Sequence, residues 1–386
     1  MLAVDAGAIL SPFEAFSPGR LVIRGDRIEA VGRATDVRVP DGAARFDAAQ
    51  LTVVPGFIEP HIHGCGGFDM MHATPESMGV ICKTLARHGT TAFLPTTVSA
   101  PADQLSSSVE RLAALLHNEF AGARPLGIHL EGPFLSVKMR GTHQAANVVK
   151  PDAALLSSWI KLSGKQIKLL TLAPEVEGAL TTAKFAQGFG VVVAMGHSDA
   201  TFSESAEAAD AGIHYAVHTF NAMRPLSHRD PGIVGAVLSD QRIYAEIIAD
   251  GVHVAPEVVG IFAKAKGAAR IILASDATSA TGMPDGEYAL GKHLVQVRSG
   301  VCRDAEGRLA GSTLTQDRAL RNLIQWTGMR LGDALLSLTA NPASALSLDG
   351  RGGIEPGAFA DLTFLDKDLQ VVRTYAGGAL VFDRSS

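Results

Sequence analysis

The sequence has little cysteine and no excess of positive charge. Among its 386 residues only Cys65, Cys82 and Cys302 are cysteines, and they form no Cys-x-x-Cys pair. This scarcity argues against a disulfide framework and favours a reducing compartment. The net charge is −5 with no block of like charges, so neither a nucleic-acid partner nor an anionic membrane surface is expected.

Long hydrophobic runs are also missing. No window offers the ~18 consecutive apolar residues of a membrane span, and the start, MLAVDAGAILSPFEAF, lacks the basic and apolar segments of a signal peptide. We therefore expect a cytoplasmic protein without a membrane partner. Hydrophobic residues make up 47% of the chain and charged residues 19%, a balance that predicts a large folded core.

The two ends of the chain show the pattern of short β-strands. LVIRGDRIEAVG contains the turn signal Gly25-Asp26, and GAFADLTFLD and LQVVRTYAGGALVF near the other end are similar. Neither end is large enough to bury a core alone. We predict that residues 1–54 and 345–386 pair into one small β-sandwich domain, with a second domain at residues 55–344.

Between the ends, apolar strand-like runs alternate with segments of helical periodicity, such as the one that begins at Thr74-Pro75. There are eight such runs: Phe57–His63, Thr91–Pro95, Leu126–Glu131, Ile167–Ala173, Val191–His197, Tyr215–His218, Ile243–Ala249 and Ile271–Ser275. Eight βα units predict an α/β fold of the (β/α)₈ TIM-like barrel type. An open doubly wound sheet is the alternative, but it usually carries a GxGxxG or GxxxxGK[ST] motif, and neither occurs.

Metal-ligand residue types stand at the ends of five of these runs. They are His61 and His63, Glu131, His197, His218, and Asp276. Each has an ordinary structural explanation when taken alone, but barrel enzymes place their chemistry at this end of the strands. Histidine and carboxylate ligands with an open water position are typical of a catalytic metal. The pattern therefore predicts metal-assisted hydrolysis.

These residues resemble the amidohydrolase superfamily, in which a His-x-His after the first strand and an Asp after the eighth are hallmarks. Within it, the sequence is similar to the N-acetylglucosamine-6-phosphate deacetylase family. The similar blocks cover nearly the whole chain and are GCGGFDM, HLEGPFL, RGTHQ, MGHSDA, HTFNAM, RDPG, DGVHV, SDAT and LAGSTLT. The resemblance implies a hydrolase that converts N-acetyl-D-glucosamine 6-phosphate to D-glucosamine 6-phosphate and acetate.

The resemblance also implies the roles of the metal residues. Glu131, His197 and His218 would hold the main divalent ion, and His61 and His63 match the members that bind a second. Asp276 would be the catalytic acid and base and would also touch the metal, while His143 would stabilise the oxyanion. One or two ions per subunit are expected, with zinc favoured and iron, manganese or cobalt as alternatives.

For the phosphorylated N-acetyl amino sugar, the resemblance implies a set of binding residues. They are Thr142, His143, Asn221, Ala222, Arg229, Asp250, Gly251, Val252, His253, Leu309, Ala310 and Gly311. A homodimer is implied as well, in which Arg229 reaches the neighbouring active site. A guanidinium and N–H donors suit a phosphate that carries about two negative charges.

Two other functions stay open at this point. One is another amide hydrolase of the superfamily, acting on a cyclic imide or an N-acyl amino acid, which would share the metal residues. The other is a non-catalytic scaffold, although such proteins usually lose metal ligands or the strand-eight Asp, and all six residues are present here.

Overall fold

The N-terminal segment forms five strands, of which the long fifth leads into the central part of the chain. The computed structural model describes residues 1–12 and 14–385. The strands are β1 (Leu2–Leu10), β2 (Ala15–Phe16), β3 (Gly19–Arg24), β4 (Arg27–Arg33) and β5 (Ala44–Pro55). The predicted turn at Gly25-Asp26 joins β3 to β4, and Gly25 adopts the left-handed conformation (φ 59°) that this turn requires.

The central part contains eight parallel barrel strands, a two-stranded ribbon formed by β7 and β8, and the short edge strand β10. In chain order the strands are β6 (Phe57–Ile62), β7 (Gly64–Cys65), β8 (Phe68–Asp69), β9 (Thr90–Thr97), β10 (Arg124–Pro125), β11 (Ile128–Glu131), β12 (Ile167–Leu172), β13 (Val192–Met195), β14 (Tyr215–Ala216), β15 (Tyr244–Ile247) and β16 (Ile271–Leu273).

The barrel strands pair in the order β6, β9, β11, β12, β13, β14, β15, β16, which is their order in the chain. The ring closes where Ile62 pairs in parallel with Ala277 and the Asp276 N–H donates to the His61 carbonyl at 3.1 Å. The predicted (β/α)₈ barrel is thus confirmed. Several strands end earlier than predicted, because His197 and His218 leave the β-region with φ values of 47° and 29°.

Helices cover the outside of the barrel. They are α1 (Pro75–Arg87), α2 (Ala102–Leu115), α3 (Ala153–Leu162), α4 (Ala179–Gln187), α5 (Phe202–Asp210), α6 (Gly232–Ser239), α7 (Pro256–Lys266), α8 (Gln316–Thr327), α9 (Leu331–Leu335) and α10 (Ala340–Ala345), with short 3₁₀ turns at Met70–His72, Ala145–Asn147, Ala268–Arg270 and Leu336–Leu338. The helix α1 begins as predicted, with Thr74 capping the Ser77 N–H and Pro75 in the first position. Throughout the described residues, every helix is too short or too polar to cross a bilayer.

A small antiparallel sheet follows the last barrel strand, where no strands are predicted. It consists of β17 (Gly286–Leu290), β18 (His293–Arg298) and β19 (Val301–Arg303). Its inner face packs on Ala280 and Ala310. The sheet lies beside the mouth of the barrel, and residues 292–295 line the cavity described below.

The last three strands bring the C-terminus back to the N-terminal strands. They are β20 (Leu362–Leu365), β21 (Val371–Ala376) and β22 (Ala379–Asp383). Strand β5 pairs with β1 on one side and with β20 on the other, so both termini share one eight-stranded sheet. This sheet encloses its own core, which includes Leu21, Ile28 and Phe364. The predicted sandwich-like unit built from both termini is confirmed, whereas its exact bounds stay a prediction.

Candidate metal centre

Glu131 lies at the centre of a buried cluster at the carboxyl ends of the barrel strands, and only 3% of it is exposed. Five imidazole Nε2 atoms surround its two oxygens. Oε1 is near His61 (3.3 Å), His197 (3.1 Å) and His218 (3.0 Å), and Oε2 is near His63 (3.2 Å) and His143 (3.3 Å). A buried carboxylate is costly unless it is paired, so its position depends on these neighbours.

His197 and His218 present unprotonated nitrogens to the cluster. Nδ1 of His197 donates to the Met139 carbonyl at 3.1 Å, and Nδ1 of His218 donates to the Asn221 carbonyl at 3.2 Å. In the neutral imidazoles that bind metals, this leaves the lone pair on Nε2 of each ring. These two Nε2 atoms are 3.1 Å apart, a contact between two acceptors that is repulsive unless a cation lies beside both.

The donor set fits a divalent cation. Nitrogen ligands at ~2.0–2.1 Å from a tetrahedral zinc ion lie ~3.4 Å from one another, and the 3.1 Å separation of His197 and His218 is close to this value. In the described part of the chain, the buried Nε2 of His61, which faces Glu131, has no hydrogen-bond partner. Nitrogen and carboxylate donors of this kind suit zinc and other first-row metals.

Asp276 adds a second carboxylate to the cluster, beside His63 and His61. Its Oδ1 lies 3.2 Å from His63 Nε2 and 3.8 Å from His61 Nε2. Ligand atoms of these three residues lie within 4.8 Å of one another and form a second group that could hold an ion. This group shares His61 with the group of His61, Glu131 and His218, so the residues could hold one ion or two.

His143 is protonated on the opposite nitrogen from His197 and His218. The Ser99 N–H donates to its Nδ1 at 3.1 Å, so its proton is on Nε2, 3.3 Å from Glu131 Oε2. The imidazole therefore directs a donor at the cluster rather than a lone pair. This tautomer suits hydrogen bonding to a substrate oxygen better than metal ligation, although its position would also allow the latter.

Three cluster residues have strained backbones. His197, His218 and Asp276 have φ values of 47°, 29° and 49°, in the left-handed region that costs an ordinary residue ~1–2 kcal/mol. Each stands just after a short strand and turns its side chain into the barrel mouth. Such strain is typical of functional sites, where the surrounding structure holds it in place.

Acids and imidazoles shift one another's pKa values in this cluster. Burial alone would raise the pKa of Glu131 and of Asp276, but the neighbouring imidazoles lower both, the pKa of Asp276 to about 2. Burial alone would lower the pKa of His63, but hydrogen bonds with Asp276 and Glu131 raise it to about 9. Without a cation the acids are ionised and His63 holds a proton, which a metal ion would have to displace.

The cluster forms the floor of a cavity of about 840 Å³. His61 is fully buried beneath this floor. The predicted residues that line the cavity are His63, Glu131, Thr142, His143, His197, His218, Asn221, Ala222, His253, Asp276, Leu309, Ala310 and Gly311. The structure therefore brings most of the predicted site together, although the residues come from many separate segments.

Four predicted substrate residues do not line the cavity in the single chain. Asp250 lies behind His253 and pairs with its imidazole at 2.7 Å. Gly251 and Val252 belong to the same turn, and Val252 is 43% exposed. Arg229 is exposed on the loop before α6 and does not line this cavity, and its contribution from a second subunit stays a prediction.

Several residues of the site are not among those predicted from the sequence. Arg140 and Lys292 line the cavity and form no ion pair with any described residue. Nothing local marks Lys292, because only the tertiary position of the β17–β18 turn brings it to the cavity. Glu246, in β15, is fully buried and contacts His61. Glu246 could have been found from the sequence, because it is a carboxylate inside an apolar strand.

A parallel barrel with histidines and carboxylates converging at its mouth is the architecture of the amidohydrolase class. The model of the amidohydrolase family matches residues 52–381. The chain belongs to this family.

Its relatives include deacetylases of amino-sugar phosphates. It is 36% identical over 363 residues to N-acetylglucosamine-6-phosphate deacetylase of Vibrio furnissii, covering 93% of this chain and 91% of the relative. It is 38% identical over 343 residues to N-acetylgalactosamine-6-phosphate deacetylase of Escherichia coli O157:H7, covering 89% and 90%. It is also similar to a solved aspartate-to-alanine mutant of N-acetyl-D-glucosamine-6-phosphate deacetylase from Mycobacterium smegmatis in complex with N-acetyl-D-glucosamine-6-phosphate, with a TM-score of 0.92, 36% identity and coverage of 98% and 99%.

Proposed function

We propose that this protein is a metal-dependent hydrolase that removes the acetyl group from N-acetyl-D-glucosamine 6-phosphate and releases D-glucosamine 6-phosphate and acetate. One observation carries the proposal: Asp276 and His143 flank the Glu131-centred cluster on the floor of a single large cavity. The relatives named above act on this class of substrate over nearly the same length of chain.

The proposed ligands of the main ion are Glu131, His197 and His218, and His61, His63 and Asp276 extend the site towards a second ion. Zinc is the metal we propose. When bound, the ion would polarise the acetamide carbonyl and lower the pKa of the attacking water from 15.7 towards ~7.

Two side chains would carry out the proton transfers and stabilise the carbonyl oxygen. The Asp276 carboxylate, with its pKa of about 2, is ionised at neutral pH and accepts the proton of the attacking water. As the C–N bond breaks, Asp276 returns this proton to the departing amine nitrogen. The Nε2–H of His143 donates to the carbonyl oxygen while it carries negative charge.

One side of the cavity suits a phosphate. The Asn221 N–H is used by the His218 carbonyl at 3.0 Å, whereas the Ala222 N–H finds no acceptor in the described part of the chain. Arg140 and Lys292 add unpaired positive charge nearby, and we propose that Arg229 of the partner subunit completes the site in a homodimer. Because a sugar phosphate does not cross a membrane unaided, the same proposal puts the enzyme in the cytoplasm.

The 4-epimer of the substrate is a second candidate, because the N-acetylgalactosamine-6-phosphate deacetylase is as similar to this chain as the glucosamine enzyme. The two sugars differ only in the configuration of one hydroxyl. The metal cluster acts on the acetamide group, which is the same in both sugars. Discrimination between the two sugars must therefore come from residues of the cavity wall.

The test is acetate release by the zinc-loaded protein from both 6-phosphates and from unphosphorylated N-acetylglucosamine. We expect activity that requires the phosphate and is lost after metal removal. Equal activity on unphosphorylated amides, cyclic imides or N-acyl amino acids would reject the proposed substrate. Absence of activity and of bound metal would support a scaffold.

A further inference from the structure

Glu246 is a buried carboxylate for which the proposed reaction has no use. It is fully buried in the middle of β15, where a charge is costly unless it is paired. Both contacts of its Oε2 lead to residues of the cluster. Its Oε2 lies 3.0 Å from His61 Nδ1 and accepts the His218 N–H at 3.2 Å, and its Oε1 accepts the Tyr215 hydroxyl at 2.8 Å.

The contact with His61 determines what that imidazole offers to the cluster. A carboxylate accepts hydrogen bonds, so the proton of the His61 ring lies on Nδ1 and points at Glu246. In the neutral ring, the form that binds a metal, Nε2 of His61 then carries the lone pair; this atom is buried without a hydrogen-bond partner among the described residues and lies 3.3 Å from Glu131 Oε1 and 3.8 Å from Asp276 Oδ1. Charge on the accepting carboxylate also makes the ring a stronger metal ligand.

The same carboxylate affects the two parts of the site differently. It touches the His61 imidazole directly, but it touches only the backbone of His218. The His218 ring is fixed separately by the Asn221 carbonyl, and the His197 ring by the Met139 carbonyl. Removing the charge of Glu246 should therefore weaken the His61 side of the centre and spare the Glu131, His197 and His218 side.

We infer that Glu246 is a positioning residue that holds His61 as a metal ligand and thereby allows a second divalent ion to bind beside the first. This inference rests on the proposed function for its metal, but not on the identity of the substrate. It gives the chain two ions per subunit rather than one.

Glu246→Gln is the sharpest test, because the amide oxygen can take the place of Oε2 and still accept from His61 and His218, while the amide nitrogen donates to Tyr215. The variant loses charge but keeps size and both hydrogen bonds to Oε2, while the hydrogen bond with Tyr215 reverses its direction. Both proteins are stripped of metal and titrated with Zn²⁺ by calorimetry, and with Co²⁺ while its visible spectrum is followed. We expect two ions in the parent protein and a second ion bound ~10–100-fold more weakly in the variant, with the first nearly unchanged.

Tyr215→Phe is the matched control. It removes the hydroxyl that donates to Oε1 and leaves the contact between Glu246 and His61 in place, so it should retain both ions. Thermal unfolding of the metal-free proteins checks that each variant is folded. If Glu246→Gln keeps the second ion, if it weakens both ions equally, or if the parent protein binds one ion only, the inference is wrong. If the parent protein binds two ions but releases no acetate, the proposed function is wrong, whereas the role of Glu246 in positioning His61 still holds.

Discussion

Both side-chain oxygens of Asp250 form hydrogen bonds with His253. Oδ2 lies 2.7 Å from His253 Nδ1, and Oδ1 accepts the N–H groups of Val252 and His253 at 2.8 Å. Burial alone would lower the pKa of His253, but the Asp250 carboxylate outweighs burial and raises it. The imidazolium therefore persists above the usual pKa of ~6.5 and faces the cavity as a charged donor.

Asp250→Asn should move the pH dependence of kcat/KM. Without the carboxylate, the pKa of His253 falls, so the charged form is lost at lower pH and the basic limb of the profile shifts to lower pH. KM at neutral pH should rise roughly tenfold, the effect of weakening one charged hydrogen bond, with a smaller change in kcat. The measurement is kcat/KM across the neutral range, and an unchanged profile would show that His253 does not act as a charged donor.

The barrel and the metal cluster could be predicted because their signals are local. An apolar run followed by His197 or Asp276 shows both the strand and the residue at its end, and the parallel topology places all such ends at one mouth. The outer parts of the site have no such signal. Lys292 reaches the cavity through a three-stranded sheet that only tertiary packing positions, and Arg229 would need a second subunit.

The backbone strain at the site could not be predicted from the same patterns. Two predicted strands extend to His197 and His218, because the apolar runs continue to these residues. In the structure both residues adopt positive φ and end the strands early. Sequence periodicity describes regular backbone, whereas at these turns the backbone departs from it where the side chains converge on Glu131.

Gly196→Ala should damage the site through packing. A Cβ atom at this position would lie 2.2 Å from Val217 Cγ2 and 3.3 Å from Thr171 Cγ2, so the chain next to His197 must shift. We expect the free energy of unfolding to fall by ~1–3 kcal/mol, together with a loss of bound zinc. Denaturant unfolding and metal analysis measure the two effects.

Gly332→Ala is the matched control for this substitution. Gly332 lies in α9, and a Cβ atom there would meet nothing within 4 Å. Alanine is the better helix former by ~1 kcal/mol, so this variant should be at least as stable as the parent and should keep its metal. If the two variants have equal stability and equal zinc content, the space beside Gly196 is not needed for folding or for metal binding.

Asp276→Asn should separate binding from chemistry. The amide cannot accept the proton of the attacking water, so kcat should fall by ~10²–10⁴-fold, while the dissociation constant for the phosphorylated substrate changes little. Calorimetry measures binding and acetate release measures turnover. Asp304→Asn removes another carboxylate that lines the cavity but pairs with Arg308, and it should lower kcat far less. A fully active Asp276→Asn enzyme would contradict the proposed acid–base role.

Arg229 offers a test of the shared active site that does not depend on a structure of the dimer. Arg229→Ala and Asp276→Asn should each be nearly inactive, the first through KM and the second through kcat. In a mixed dimer, the Arg229→Ala subunit keeps Asp276 and receives an intact Arg229 from its partner. One of the two active sites of the dimer is therefore complete. After random exchange, half of the dimers are mixed, and activity should recover to about a quarter of that of the parent protein. If subunit exchange is shown by a tag but mixing restores no activity, Arg229 acts within its own subunit, and a fully active Arg229→Ala enzyme would show that Arg229 has no role.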